Sequence, residues 1–260
     1  MLRIGWFSTG RDKAAWQLLE ATCQNTQKGE IEAQIIFVFS NREPGENKES
    51  DLFFKLVQSY HLPLVCFSYR RFKDLKGVED IAIGDKLPPW RLEYDREVMK
   101  RLNSLEPDLC LLAGYMLIVG PEMCRKYSMI NLHPAAPGGP SGSWQNVIWS
   151  LIDSKANESG VMMHLVTPEL DRGPVVTYCT FCIKGEPFQN YWQRPETYPT
   201  LFQLIRYYGL AREFPLIIAT LKLLSQGIIR IEAGRKVNSQ GRPVIGYNLT
   251  PEIDKIIKIK

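Results

Sequence analysis

A mostly parallel, twisted β-sheet flanked by helices is the fold class the sequence predicts, on three observations. Short apolar runs rich in β-branched and aromatic residues alternate with stretches of helical spacing. The alternation starts at the first residues and repeats, as parallel strands joined by crossover helices require. A hydrophobic fraction of 45% over 260 residues is enough to build a core of that size.

The first strand is Leu2–Phe7, which ends at Ser8-Thr9-Gly10; residues 13–26 then place Ala15, Leu18, Leu19 and Cys23 on one helical face. A second strand, 33–39, breaks at the polar loop 41–47, and 51–60 carries Leu52, Phe53, Leu56 and Val57 at helical spacing. A strand at 64–67, a helix at 92–105 and a strand at Leu109–Leu112 continue the pattern. Strands at 130–132 and 161–166 flank a helix at 144–152, and Val175–Cys182 forms a strand after the loop around Asp171. The result is an α/β fold of the Rossmann-like kind. Residues 1–184 form its core. Residues 185–199, rich in Pro, aromatic and polar residues, read as a surface excursion able to act as a lid. Residues 200–260, a helix-rich stretch to 226 and a strand at 228–232, read as a short C-terminal segment packed on the core.

Composition narrows the function classes. The 32 basic and 28 acidic residues, net +4, are scattered and form no basic block of the kind that tracks nucleic acid. The slight excess suits a small anionic ligand. The start of the chain has no secretory pattern, and the apolar run at 109–120 is far short of the roughly 20 residues that span a bilayer. Six cysteines lie mostly in apolar segments, as reduced thiols of a cytoplasmic protein do. Cys179 and Cys182 make one CxxC pair, but on a strand with no second pair or nearby histidine, which argues against zinc. A monomer or homodimer acting on small molecules, with neither nucleic acid nor membrane as partner, is the expectation.

Ligands of such sheets gather at the carboxyl ends of the strands, where several polar groups fall. Gly10-Arg11-Asp12-Lys13 joins the first strand to a helix start, whose free N–H groups and dipole favour an anion such as phosphate. It is neither a GxGxxG nor a GxxxxGK[ST] loop. In Asn131-Leu132-His133-Pro134 the amide and imidazole, two residues apart on a strand, face one side. A hydrogen-bond donor beside a titratable ring suits acyl transfer, which needs support for an oxyanion and a group to hold or move a proton. The turn-rich segment Thr167-Pro168-Glu169-Leu170-Asp171-Arg172-Gly173-Pro174 could hold Asp171 against His133, raising the imidazole pKa and orienting the ring. His164 is either a core histidine or a partner of this group.

Together these motifs resemble the folate-dependent formyltransferase family. They are Ser40-Asn41-Arg42, Arg91-Leu92-Glu93-Tyr94-Asp95, Leu112-Ala113-Gly114-Tyr115-Met116, Asn131-Leu132-His133-Pro134, and the run from His164 through Asp171 to Val175. Their order and spacing match from the first residue to near the last. The resemblance implies formyl transfer from 10-formyltetrahydrofolate to a primary amine, without a metal, with Asn131, His133 and Asp171 as the catalytic set. It implies that Arg91, Met116, Leu117, Ile118, Val119, Thr167, Pro168, Glu169 and Leu170 hold the folate, and that Gly10, Arg11, Asp12 and Lys13 hold a phosphorylated acceptor, 5'-phosphoribosylglycinamide of purine biosynthesis. An amino sugar or other amine as acceptor, or hydrolysis of the donor, are the alternatives.

Departures touch the acceptor side. Arg11-Asp12-Lys13 replace a short Gly/Ser/Asn stretch, so an anion there would meet side chains. Leu117 stands where a basic residue is usual, and a Gly/Pro-rich loop follows His133. The acidic residue that contacts ribose hydroxyls in the purine-synthesis branch falls, by spacing, at Leu210, with Glu213 about a turn away.

Overall fold

The structure, a computed structural model, describes residues 1–78, 87–232, 235–238, 241–242 and 245–257. Eight strands share one hydrogen-bonded sheet in the order β10-β7-β6-β5-β4-β1-β2-β3, mostly parallel and flanked by helices, as the alternating pattern predicts. The chain groups into two compact units, Met1–Asn131 with Val166–Pro168, and Leu132–Leu165 with Glu169–Lys260. The expected 200–260 segment lies partly outside the described residues.

The first unit repeats strand and helix. β1 (Leu2–Phe7), β2 (Ala33–Ser40), β3 (Leu64–Cys66) and β4 (Leu109–Leu112) are parallel, and β4 pairs with the start of β5 (Met129–His133). Helix α1 (Lys13–Gln27) buries Ala15, Leu18, Leu19, Thr22 and Cys23, one face at 3.6-residue spacing. Helix α2 (Lys48–Ser59) begins three residues before the predicted 51, because Asn47 caps it by accepting from the Glu49 and Ser50 N–H groups. The polar first turn carries no apolar signal. Helix α3 (Tyr69–Lys76), unpredicted, buries only Phe72 yet is well bounded by Ser68 as N-cap and Gly77, left-handed, as C-cap. Helix α4 (Pro89–Arg101) starts on a proline at its first position, earlier than 92, and α5 (Pro121–Lys126) does likewise. Phe7, Phe37, Phe39, Tyr94 and Tyr115 centre this unit's core.

The second unit contains α6 (Trp144–Asp153), the antiparallel pair β6 (Glu158–Leu165) and β7 (Val175–Cys182), and α7 (Tyr198–Ser225). Helix α7 runs unbroken for 28 residues with Pro215 inside it. It buries Leu201, Phe202, Ile205, Leu216, Ile217 and Leu221, each worth about 1.5–3 kcal/mol of burial. Between β7 and α7 lie two short 3-10 turns, and Phe188 of this stretch is wholly buried in the unit's apolar cluster. A hairpin of β8 (Ile229–Glu232) and β9 (Arg235–Asn238) follows, then β10 (Tyr247–Asn248) beside β7, and α8 (Thr250–Ile256). Gly160 on β6 permits a close crossing. A Cβ there would sit 2.5 Å from the Cys179 carbonyl oxygen.

Candidate active site

In the first unit, polar residues gather where β1 ends. The Thr9 N–H donates to the Gly114 carbonyl at 3.0 Å, and the Thr9 hydroxyl accepts from the Met116 N–H at 3.0 Å. Gly10 takes φ +62° with Phe53 packed against it, so no side chain fits. Asp12 caps α1, its carboxylate accepting from the Ala15 N–H at 3.1 Å, and Arg11 lies 3.6 Å from that carboxylate. One N–H of the helix start is thus taken by an acid that lies within the turn expected to hold an anion. Lys13 is exposed, over the ring of Trp16.

Arg91 and the 116–119 segment come together in the same unit. The buried Arg91 guanidinium donates from Nη2 to the Ile118 carbonyl at 2.5 Å and to Asp95 at 2.9 Å. Asp95 also accepts from the Gly120 N–H at 2.7 Å. Burial pushes the Asp95 carboxyl above its ordinary pKa, against the pull of Arg91 and that amide. Nε and Nη1 of Arg91 are buried without a hydrogen-bond partner among the described residues, two donors left for an acceptor group. Val119 is buried, Leu117 and Ile118 are half-buried, and Met116 is exposed.

In the second unit a carboxylate stands between two imidazoles. Asp171 Oδ2 lies 3.5 Å from Nδ1 of His133, and its Oδ1 lies 3.5 Å from Nε2 of His164. The Gly142 N–H donates to Oδ2 at 2.8 Å. The two rings are 6.1 Å apart at 87°, both 2% exposed. Asp171 holds φ +54°, left-handed backbone that is unusual for a residue with a side chain. The β6 register shift between Met163 and His164 re-aims His164. His133 Nε2 contacts the Pro140 carbonyl at 2.8 Å, and since a carbonyl only accepts, the proton is on Nε2. Arg172 ties the same loop by donating to the Gly139 carbonyl.

These environments set the charges. Burial pulls the His133 pKa below that of an ordinary imidazole, and Asp171 recovers only part of the loss. The expectation of a raised pKa is corrected: the carboxylate acts in the predicted direction, but desolvation outweighs it. Burial pushes Asp171 up, yet His164, His133 and the Gly142 amide together hold it below the usual carboxylate range. Asn131 lies on β5 two residues before His133, on the same side of the strand. Thr167 is half-buried, while Pro168, Glu169 and Leu170 are exposed. Glu213, 6% exposed, is paired with Arg206 at 2.5 Å; Leu210 is half-buried. Cys179 is buried and Cys182 exposed, on opposite faces of β7, and among the described residues no group of three or more His, Cys, Asp or Glu is set to hold a metal ion. No described helix is long and apolar enough to cross a membrane.

Sheet order and polar cluster define a class: a Rossmann-like α/β fold carrying a buried His–Asp–His group. The family described as Formyl transferase matches residues 7–186, and the chain belongs to that family. The phosphoribosylglycinamide formyltransferase of Schizosaccharomyces pombe is 30% identical over 167 residues, covering 61% of this chain and 72% of that protein. That of Escherichia coli is 33% identical over 88 residues, 33% of this chain and 41% of that one. Among solved structures, the phosphoribosylglycinamide formyltransferase of Coxiella burnetii superimposes with a TM-score of 0.69 at 21% identity, covering 95% and 98% of the two chains. A formyltetrahydrofolate deformylase from Pseudomonas syringae gives 0.62 at 17% identity, covering 91% and 65%. At such identities the two structures speak to the fold.

Sequence reasoning missed the Pro140 carbonyl, a backbone atom that leaves no mark on residue type, and Asp12 as a cap, which the acid three residues before Ala15 could have signalled.

Proposed function

We propose that this chain transfers a formyl group from 10-formyltetrahydrofolate to the primary amine of 5'-phosphoribosylglycinamide in the cytoplasm. The observation that carries the reading is the Asp171 carboxylate between His133 and His164, all three within the residues 7–186 that the family matches. The names of the relatives support the acceptor.

The donor supplies an electrophilic formyl carbon. Arg91, with its two unmet donors, and the backbone of Met116, Leu117, Ile118 and Val119 would hold its ring system, together with the loop Thr167, Pro168, Glu169 and Leu170. As the amine attacks, charge develops on the formyl oxygen. The Asn131 amide and the His133 Nε2–H are the donors that stabilise it, the oxygen taking the hydrogen bond that the Pro140 carbonyl accepts in its absence. Asp171 favours the charged ring as that charge appears, and its other oxygen is steadied by His164. The ring keeps its Nε2 proton as a donor to that oxygen, and the proton that the ammonium-like centre loses passes to the departing nitrogen through water, with Asp171 assisting.

The test follows release of the deformylated folate with 5'-phosphoribosylglycinamide, with no amine, and with His133→Ala. Turnover that needs the amine and falls by at least about a hundredfold in the variant supports the assignment. Donor consumed without amine identifies a hydrolase instead.

A further inference from the structure

At the carboxyl end of β2, in the first unit, one half-buried cation forms no ion pair among the described residues. Arg42 donates from Nη1 to the Ser50 hydroxyl at 2.9 Å, and that hydroxyl donates to the Thr9 carbonyl at 3.2 Å. This two-bond tether holds the guanidinium beside the turn that runs on through Gly10 to Arg11. On its other side, the Tyr69 N–H donates to the Asn41 carbonyl at 3.2 Å, which brings the start of α3, and Arg70 with it, to the same strand end.

The acids of this corner are committed elsewhere. Arg71 takes both Glu43, at 2.6 Å, and Glu46, at 3.5 Å. Asp12 caps α1 and faces Arg11. Among the described residues no carboxylate forms an ion pair with Arg42 or Arg70; Arg70 donates only to the hydroxyl of its neighbour Tyr69. Burial first, then repulsion from Arg70 and, less, from Arg11 pull Arg42 below the ordinary guanidinium value, against the attraction of Tyr69 and Glu46. A partly desolvated charge among like charges is costly to keep unless an anion neutralises it.

We propose that Arg42, Arg70 and Arg11 form an anion subsite for a phosphate monoester. Planar guanidinium forks suit phosphate oxygens, and a doubly charged group answers several cations better than a carboxylate does. The subsite also explains how a turn with an acid at its helix cap could serve a phosphorylated acceptor: side chains from the loop after β2 and from α3 hold the phosphate beside that turn. That last step rests on the function proposed above; the subsite itself does not.

The test is a titration of the full chain with inorganic phosphate and with ribose 5-phosphate, followed by phosphorus NMR line width at constant ionic strength set with sodium chloride. The expected result is binding of both by the wild type, weakened about tenfold or more by Arg42→Gln and partly restored by Arg42→Lys. Arg70→Gln, at an exposed residue, should weaken both ligands without changing Tm, and serves if Arg42→Gln does not fold. Equal binding by folded Arg42→Gln and Arg70→Gln, or none by the wild type, overturns the proposal. If binding depends on Arg42 but 5'-phosphoribosylglycinamide is not formylated, the subsite stands and the acceptor assignment falls. If that amine is formylated, Arg42→Gln should raise its KM about tenfold and leave kcat nearly unchanged.

Discussion

The Pro140 carbonyl oxygen sits 2.8 Å from Nε2 of His133 and takes the hydrogen bond that a reacting oxygen would need. With Nδ1 turned toward Asp171, each ring nitrogen of His133 faces an acceptor, an arrangement only the protonated ring satisfies fully, while burial favours the neutral one. The site therefore holds an imidazole whose proton affinity rises when negative charge arrives beside it.

Asp171→Asn removes the charge between the two imidazoles but keeps an acceptor for the Gly142 N–H. Formyl transfer should fall by about 10²–10⁴ in kcat, with Tm little changed. Steady-state kinetics beside a melting curve measure both, and a variant with wild-type kcat would remove Asp171 from the chemistry.

The pH dependence of stability has a defined sign. His133 has a folded pKa below its unfolded value near 6.5, so the unfolded chain binds more protons between the two. Stability attributable to the neutral ring is present above that value and is lost as pH falls through the folded pKa. Asp171, also depressed, adds a loss of the same sign below its unfolded value near 3.8. Tm measured from pH 7.5 down to 5 should decline, and His133→Gln should flatten the decline.

Asp95→Ala strands the Arg91 guanidinium, which is buried and shares its Nη2 with that carboxylate. Denaturant unfolding should show a loss of about 3–5 kcal/mol, the usual result of breaking a buried pair from one side. A loss under about 1 kcal/mol would mean the pair is solvated in solution.

The thiols should differ in reactivity. Cys182 is exposed, and the N–H groups of Lys184 and Gly185 pull its thiol below the usual value, while burial pushes Cys23, Cys66 and Cys179 up to about 12 and Cys124 to about 11. An aromatic disulfide reagent should label Cys182 fastest, and the rapid phase should vanish in Cys182→Ser.

Much of this was legible before the structure. The strands from β1 to β7 stood out as short apolar runs between turn residues, and most of the longer helices by apolar residues at 3.6-residue spacing. Helices α3 and α5 did not, since each buries a single side chain and so has no period to detect. Strand β10, two residues long, is set by its pairing with Thr177 and Tyr178, far away in the chain. Asn131 and His133 were visible from strand alternation, whereas the reach of Asp171 to both His133 and His164 depends on one left-handed residue and one bulge. The charge state of His133 was misjudged for a physical reason: a neighbouring carboxylate can be inferred from sequence, but the depth of burial that outweighs it cannot. Arg42 was seen as part of a motif, yet that it forms no ion pair among the described residues follows from Arg71 taking the nearby acids.

The shortness of β10 bears on how the molecule behaves in a crowded solution. Strand β7 runs eight residues, and beyond β10 its peptide groups meet, among the described residues, local cover: the Tyr178 carbonyl accepts from the Leu249 N–H, and the Thr180 N–H donates to the Thr250 hydroxyl. Two strand residues and a helix cap are thus what keep a long, apolar β-edge from recruiting a second chain. Loss of residues 247–257 would expose that edge, and the first symptom would be self-association at high concentration, before any loss of chemistry.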